Sequence, residues 1–334
     1  MIPTFVFAGR LNREYILPVE GAPVLDRAGG SPLYAAGAAS VWTQGIGLLA
    51  RVGEDYPNRW LQDFKKRGIN TEGIRVVPGS LDLRSFRAYN KKRELSRSNP
   101  VGHFAARQLT FPKVLLGYRP PEKRERFKME KHPATPSVTE IPPDYLQAKA
   151  VHICPLDFKS QGQLLTAFRA ASVPLITLDP SMLYMNPNRC QDLHLFLDGL
   201  TAFIPSEEEL RQLFWGKTHD LWEMAEELAN FGTQAVIIKR GEKGQLLYDA
   251  RSKKRWELPA YAARIADPTG AGDAFCGGFL AGLQESEDFL RAAAYGNISA
   301  SLSIEGSGPF YPAETLPGFA EARLEALLGR VRSV

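Results

Sequence analysis

From residue 150 onward the chain alternates short apolar runs with helical patterns, and this alternation restricts the fold more than any other feature. Residues 150–154, 174–178, 202–204 and 235–238 are apolar stretches of strand length. Segments 159–171, 206–214 and 219–231 carry the 3.6-residue period of amphipathic helices. Such alternation argues for a mainly parallel sheet covered by helices on both faces. Residues 245–248 and 254–258 read as a β hairpin, helices follow at 270–284 and 286–304, and 320–328 closes the chain. The N-terminal part follows the same pattern: strand 4–8, helix 32–43 with Pro32 in its first turn, strand 47–52, and helix 57–67 closed by Gly68. Two segments break it: 13–27, strand-like but interrupted by Pro18 and Pro23, and a strand near 82–92. The stretch 95–140 contains Pro100, Pro112, Pro120, Pro121, Pro133 and Pro136 and receives no element assignment.

At the start of the 270–284 helix stands Asp267-Pro268-Thr269-Gly270-Ala271-Gly272-Asp273-Ala274-Phe275. Its three small residues let the backbone turn tightly, and Phe275, Phe279, Leu280 and Leu283 begin a helical period at once. A glycine turn feeding a helix N-terminus gathers unpaired N–H donors and the positive end of the dipole, which suits anions such as phosphate. Asp273 then has two readings. It complements the dipole as a first-turn acid, or it takes a proton from a hydroxyl attacking a phosphoryl group held over the turn. An ordinary carboxylate is ionised near neutrality, so the second reading asks for no unusual pKa.

The string from Asp267 to Phe275 resembles the C-terminal signature of the PfkB/ribokinase family of carbohydrate and nucleoside kinases. Further landmarks stand in family order. Gly29-Gly30-Ser31-Pro32-Leu33-Tyr34-Ala35-Ala36 resembles the first Gly-Gly motif with its helix, and Ala50-Arg51-Val52-Gly53-Glu54-Asp55 the G-x-D turn. Ile204-Pro205-Ser206-Glu207-Glu208-Glu209 occupies the place of the N-x-x-E motif, and Lys239-Arg240-Gly241-Glu242-Lys243-Gly244 is similar to the nucleotide-side strand and turn. The resemblance runs from about residue 4 to 312. It implies a ribokinase-like α/β fold of Rossmann type in one kinase domain over 1–334, with a small β-sheet lid from about 12–28 and 82–120.

The activity so implied is ATP-dependent phosphorylation of a hydroxyl on a small sugar or polyol, with a nucleoside as the rival acceptor. A non-catalytic sugar-binding protein is a third reading, and the intact 270–273 turn argues against it. In this scheme Asp273 is the base, and the amides of Gly270, Ala271 and Gly272 hold the phosphoryl oxygens. Glu209 helps organise Mg2+. Ser206 replaces the family's usual Asn and reads equally as a helix cap with Glu209 as its capping-box partner. Lys239, Gly241, Asn297 and Gly308 match nucleotide-side positions, although Asn297 reads equally as a helix residue bonded to its neighbours. Asp267 matches a position that in several relatives helps bind a monovalent cation, usually K+.

On the acceptor side, Asn12-Arg13-Glu14 stands where sugar kinases have N-x-D, so Glu14 is one methylene longer than the Asp that grips two hydroxyls. Gly29 and Gly30 are expected to let the acceptor approach the backbone. Tyr34 replaces an Asn and either offers a flat apolar face or only packs its helix; Arg84 and Arg87 on the lid strand reach toward an acidic group or stay solvated.

Composition excludes several other classes. With 334 residues, 44% of them hydrophobic and 23% charged, the chain has the balance of a soluble globular protein. No apolar run approaches the ~18 residues of a membrane span, and no secretory signal is evident. Three widely spaced cysteines, Cys154, Cys190 and Cys276, point to reduced thiols in a cytoplasmic setting, and the histidines show no zinc-ligand spacing. Net charge is +4, with a basic run from Arg84 to Lys131 interrupted by Glu94, Glu122, Glu125 and Glu130. With no nucleic-acid motif beside it, this run reads as a solvated lid that attracts an anionic nucleotide or substrate. Gly216-Lys217-Thr218 imitates the end of a Walker A loop, but Arg211 stands where the first glycine belongs. The partners expected are therefore a nucleoside triphosphate and a small sugar, polyol or nucleoside, with a homodimer as an admissible assembly.

Overall fold

The computed structural model describes residues 2–120 and 132–333. Its centre is a 10-stranded sheet. The sheet is parallel from Ile74–Val77 at one edge through Ile46–Gly53, Phe5–Ala8, Ala150–Ile153, Leu175–Leu178 and Ala202–Phe203 to Ala235–Lys239. Gln245–Asp249, Lys254–Leu258 and Arg332–Ser333 then extend it antiparallel, the first two as the expected hairpin. Alternate residues on the parallel strands feed different cores. Val6, Val151, Ile153, Val236 and Ile238 pack against helices Phe158–Ala170 and Leu221–Ala229. Phe5, Phe7, Ala150, Ala235 and Ile237 face the side that holds helices Ser31–Ala39, Ala271–Ser286 and Phe289–Ile304. A period of two with both phases apolar is what a doubly covered sheet requires.

A separate 4-stranded sheet joins Val24–Gly29, Asn12–Leu17, Arg84–Tyr89 and Leu95–Ser96 in that order. These are the two segments that break the βα alternation. Asp26 adopts φ 58° and shifts the register between Glu14 and Tyr15. That bulge is held by Arg13, whose Nε and Nη2 donate to the Asp26 carboxylate at 2.8 Å, and by the Tyr15 hydroxyl at 2.9 Å. The small sheet has its own core of Tyr15, Leu17, Phe86, Ala88, Phe104 and Leu115. Phe104 comes from helix Pro100–Ala106, which together with strand Leu95–Ser96 orders part of the proline-rich stretch. Elements this short show no periodicity in sequence. The basic residues Lys123, Arg124, Arg126, Lys128 and Lys131 lie outside the described residues. Among the described residues no helix is long and apolar enough to cross a membrane.

Candidate active site

Parallel strands leave their carboxyl ends along one edge of the sheet, where α/β proteins place their ligands. Gly270 opens helix Ala271–Ser286 in a left-handed conformation, φ 78°. A Cβ there would stand 2.2 Å from the Tyr34 ring, so packing as well as conformation demands glycine. No side chain caps this helix. The Ala271 amide donates to Pro268 O at 3.3 Å, and the turn otherwise presents its N–H groups in the manner of an anion cradle.

Two cavities, each of about 630 Å³, lie on either side of this turn. One is walled by Asn12, Ser31, Arg84, Arg87, Tyr118, Glu209 and Asp273. The other is walled by Tyr89, Lys239, Gly241, Tyr261, Ala271, Gly272, Phe275 and Asn297. Asp273 is partly exposed and accepts a hydrogen bond from the Ser31 side chain. Burial pushes its pKa above the ordinary carboxylate range, while Lys239, the Ser31 bond and Arg87 oppose that rise. The base role read from the sequence needs only an ionised carboxylate; the enclosure that raises the pKa is added by the tertiary structure.

On the first cavity's side, Glu14 is fully buried. It accepts from the Tyr34 hydroxyl at 2.7 Å, Arg87 Nη1 at 3.1 Å and the Gly30 amide at 3.3 Å, with Arg27 Nη2 3.8 Å away. A Cβ on Gly29 would stand 2.0 Å from Glu14 Cδ, and one on Gly30 2.3 Å from Arg10 O. The close approach these glycines permit is thus made by the protein itself. Tyr34 is buried and packs beneath Gly270. Arg84 is held by Asp82 at 2.8 Å and donates to Val114 O at 2.6 Å, fastening the loop beside it. Arg87 faces the cavity, steadied by Glu14 and by Ser85 Oγ at 3.0 Å.

On the second side, Asn297 spends its amide on the loop that walls the cavity: Nδ2 donates to Gln245 Oε1 and Pro259 O, each at 2.8 Å, and Oδ1 accepts from the Tyr261 amide at 3.0 Å. Gly241 lines the cavity with φ 56°. Gly308, φ 123°, lies beside Arg27 of the small sheet. Asp267 is buried; one oxygen accepts the Thr269 amide at 3.0 Å and the other the Ser307 hydroxyl. Both of its oxygens therefore cross-link loops.

Glu209 and Ser206 form the capping box: the Ser206 amide and hydroxyl both donate to Glu209 Oε2 at 2.7 Å, and the Glu209 amide returns to Ser206 Oγ at 3.2 Å. Burial raises the Glu209 pKa, with Lys239 opposing. Among the described residues no three His, Cys, Asp or Glu side chains form a ready-made metal cage. Mg2+ held chiefly by phosphate oxygens and water needs only one or two carboxylates, and Glu209 and Asp273 on one cavity wall fit that need. Lys217 of the false Walker motif pairs at the surface with Glu227. Reading the sequence missed Ser31 and Asp179 as site residues. Ser31 is part of the Gly-Gly motif's string and could have been found there; Asp179, which pairs with Lys239 at 2.6 Å, gives no signal of its own.

A sheet edge carrying two cavities, divided by a glycine turn with one carboxylate, defines a small-molecule kinase architecture. The chain belongs to the pfkB family of carbohydrate kinases, whose family model matches residues 142–316. It is accordingly a phosphotransferase with an alcohol group as acceptor. It is 28% identical over 277 residues to the cytidine kinase of Thermococcus kodakarensis, covering 83% of this chain and 87% of the relative. The structure of a Burkholderia thailandensis nucleoside kinase in complex with inosine superposes with a TM-score of 0.71 at 20% identity, covering 97% of this chain and 99% of the other. An Escherichia coli structure in complex with ATP and Mg2+ gives 0.68 at 21% identity, covering 98% and 99%. These structural likenesses establish a ribokinase-like fold, small sheet included.

Proposed function

We propose that the protein transfers the γ-phosphoryl group of ATP to a hydroxyl of a nucleoside or a polyol of comparable size. The reading rests on one observation: the two cavities meet at the 270–273 turn, Asp273 walling one, and Ala271 and Gly272 the other. The triphosphate then lies in the cavity of Gly241, Tyr261 and Phe275, with its end over the turn. The acceptor lies in the cavity of Arg87 and Asn12. Asp273 takes the proton of the attacking hydroxyl as its oxygen bonds to the γ-phosphorus, and the β–γ bridging oxygen leaves with ADP. The turn amides and Lys239 face the charge that develops on the phosphoryl oxygens. Mg2+ supplies charge neutralisation of the phosphates, and Glu209 is the residue to hold it or its waters.

A cavity of about 630 Å³ is larger than a free pentose fills, and Tyr118 and Leu183 on its wall suit a base. The similarity to a cytidine kinase over most of the chain supports the same acceptor class. Sugars and smaller polyols remain the second reading, supported by the family description.

ADP release measured with cytidine, inosine, ribose and myo-inositol tests both, the nucleosides being expected to turn over fastest. Asp273→Asn is expected to bind nucleotide normally and to lose roughly 10²–10⁴ in turnover. Wild-type turnover in that variant would remove Asp273 from the mechanism.

A further inference from the structure

Beneath the glycine turn lies an ion pair of which the sequence motifs contain only Lys239. Strand Ala235–Lys239 ends with the Lys239 ammonium turned inward, 2.6 Å from Asp179 Oδ2. Asp179 follows strand Leu175–Leu178 and is buried. Its backbone is fixed on both sides, the amide donating to Ile153 O at 3.1 Å and the carbonyl accepting Gln161 Nε2 at 2.7 Å. From the catalytic helix, Cys276 Sγ closes the group, 3.7 Å from Asp179 Oδ2 and 3.8 Å from Lys239 Nζ. Nζ itself lies 3.7 Å from the place a Cβ would take on Gly272. The ammonium therefore sits directly against the turn, and its field reaches Asp273 and Glu209.

A lysine carries its charge on a flexible four-carbon stem, so its position is decided by what holds it. Phosphoryl transfer gains most from charges already in place when the loose transition state forms. We propose that Asp179 is a positioning residue for phosphoryl transfer: it holds the Lys239 ammonium against the Gly272 turn, where charge develops on the group being transferred. The inference rests on the kinase reading above. It assigns Asp179 no contact with either substrate and no proton transfer.

The test is a double-mutant cycle on the full chain, using ATP and the fastest acceptor among cytidine, inosine, ribose and myo-inositol. Lys239→Met is expected to lower kcat by roughly 10²–10³, the scale of one lost oxyanion donor. Asp179→Asn is expected to lower kcat by roughly tenfold or more, with the acceptor KM and the affinity for a fluorescent ADP analogue changed less than about threefold. Because the residues act as one unit, the double variant should be no slower than Lys239→Met alone. A purely structural Asp179 would instead lower Tm and leave kcat of the folded enzyme unchanged. That outcome, or deficits that multiply in the double variant, would overturn the proposal. Lys239→Arg decides the matter if the Asp179 variant does not fold. It keeps the charge but not the point geometry, so wild-type kcat there would also overturn the proposal, and at least a tenfold loss is expected. Absence of ADP release by the wild type with all four acceptors would strike at the kinase reading; normal wild-type turnover with an indifferent Asp179→Asn strikes at this inference alone.

Discussion

In the proposed mechanism the Asp273 carboxylate acts as a base in surroundings that disfavour its charge. Burial raises its pKa and Lys239 is the largest influence holding it down. Only the ionised form accepts a proton, so activity should fall as pH drops through this raised value, at higher pH than an ordinary carboxylate would set. Removing the opposing charge by Lys239→Met should move that acidic limb of the kcat profile upward. An unmoved limb would mean that another group controls it. Glu14 poses the complementary case. Its buried carboxylate neutralises the partly enclosed Arg87 guanidinium, and Tyr34 bonds to the same carboxylate. Glu14→Ala leaves a largely enclosed cation without its partner, which costs about 3–5 kcal/mol and should be visible in urea unfolding. Because Arg87 walls the acceptor cavity, the same variant should raise the acceptor KM while the ATP KM changes little.

At the scale of elements, helix Ala271–Ser286 lies unusually close to its neighbours. A Cβ on Gly277 would meet Ala35 O at 2.0 Å, and one on Gly278 would meet Ser299 Oγ at 2.1 Å. Contact this close locks the helix that carries the turn between Ser31–Ala39 and Phe289–Ile304. The central strands carry a pH liability of their own. His152, on strand Ala150–Ile153, is buried against Thr177 Oγ1 at 2.9 Å, and burial pushes its pKa down to about 3. Its folded-state pKa lies below the unfolded value near 6.5, so the unfolded chain binds the extra proton. The contribution is present above pH 6.5 and is lost progressively as pH falls toward 3. At pH 5 the loss is about 2 kcal/mol. Chemical unfolding at pH 7 and pH 5 should show this difference in the wild type, and His152→Gln should flatten it.

At the scale of the whole molecule, polar contacts tie the small sheet to the nucleotide side, among them the Glu20 amide donating to Ala266 O at 3.1 Å. Arg93 pairs with Glu242, Arg264 with Glu20 at 2.5 Å, and the Thr269 hydroxyl donates to the Tyr89 hydroxyl at 3.1 Å. Exposed ion pairs such as these two contribute about 0–1 kcal/mol each, so they oppose movement of the sheet only weakly. Strands Asn12–Leu17 and Arg84–Tyr89 should therefore gain hydrogen-exchange protection when ATP and a true acceptor are bound. Identical exchange with and without them would remove the lid role.

The parallel core and the glycine turn were legible in the sequence. Residues 150–154 and 235–238 announce buried strands by composition, and Gly270 to Asp273 form one contiguous string. Backbone conformation of that kind is set by residues a few positions apart, so a linear reading captures it. The roles of Glu14, Tyr34, Asn297 and Asp179 were not legible, because each depends on a partner delivered by a distant element. In sequence Glu14 reads only as an acceptor-side acid; its hydrogen bonds to Arg87 and Tyr34, beside the bulge at Asp26 and the packing at Gly29, arise only in the folded chain. Asn297 was matched to the nucleotide side, and its amide binds the loop at Pro259 and Tyr261. Lys239 and Asp179 end two strands that only the sheet brings together. The sequence by itself determined where the chain bends, which faces are apolar and where a glycine turn opens a helix. Only the tertiary structure decided which charge meets which, since a buried ion finds its partner through strand order and packing.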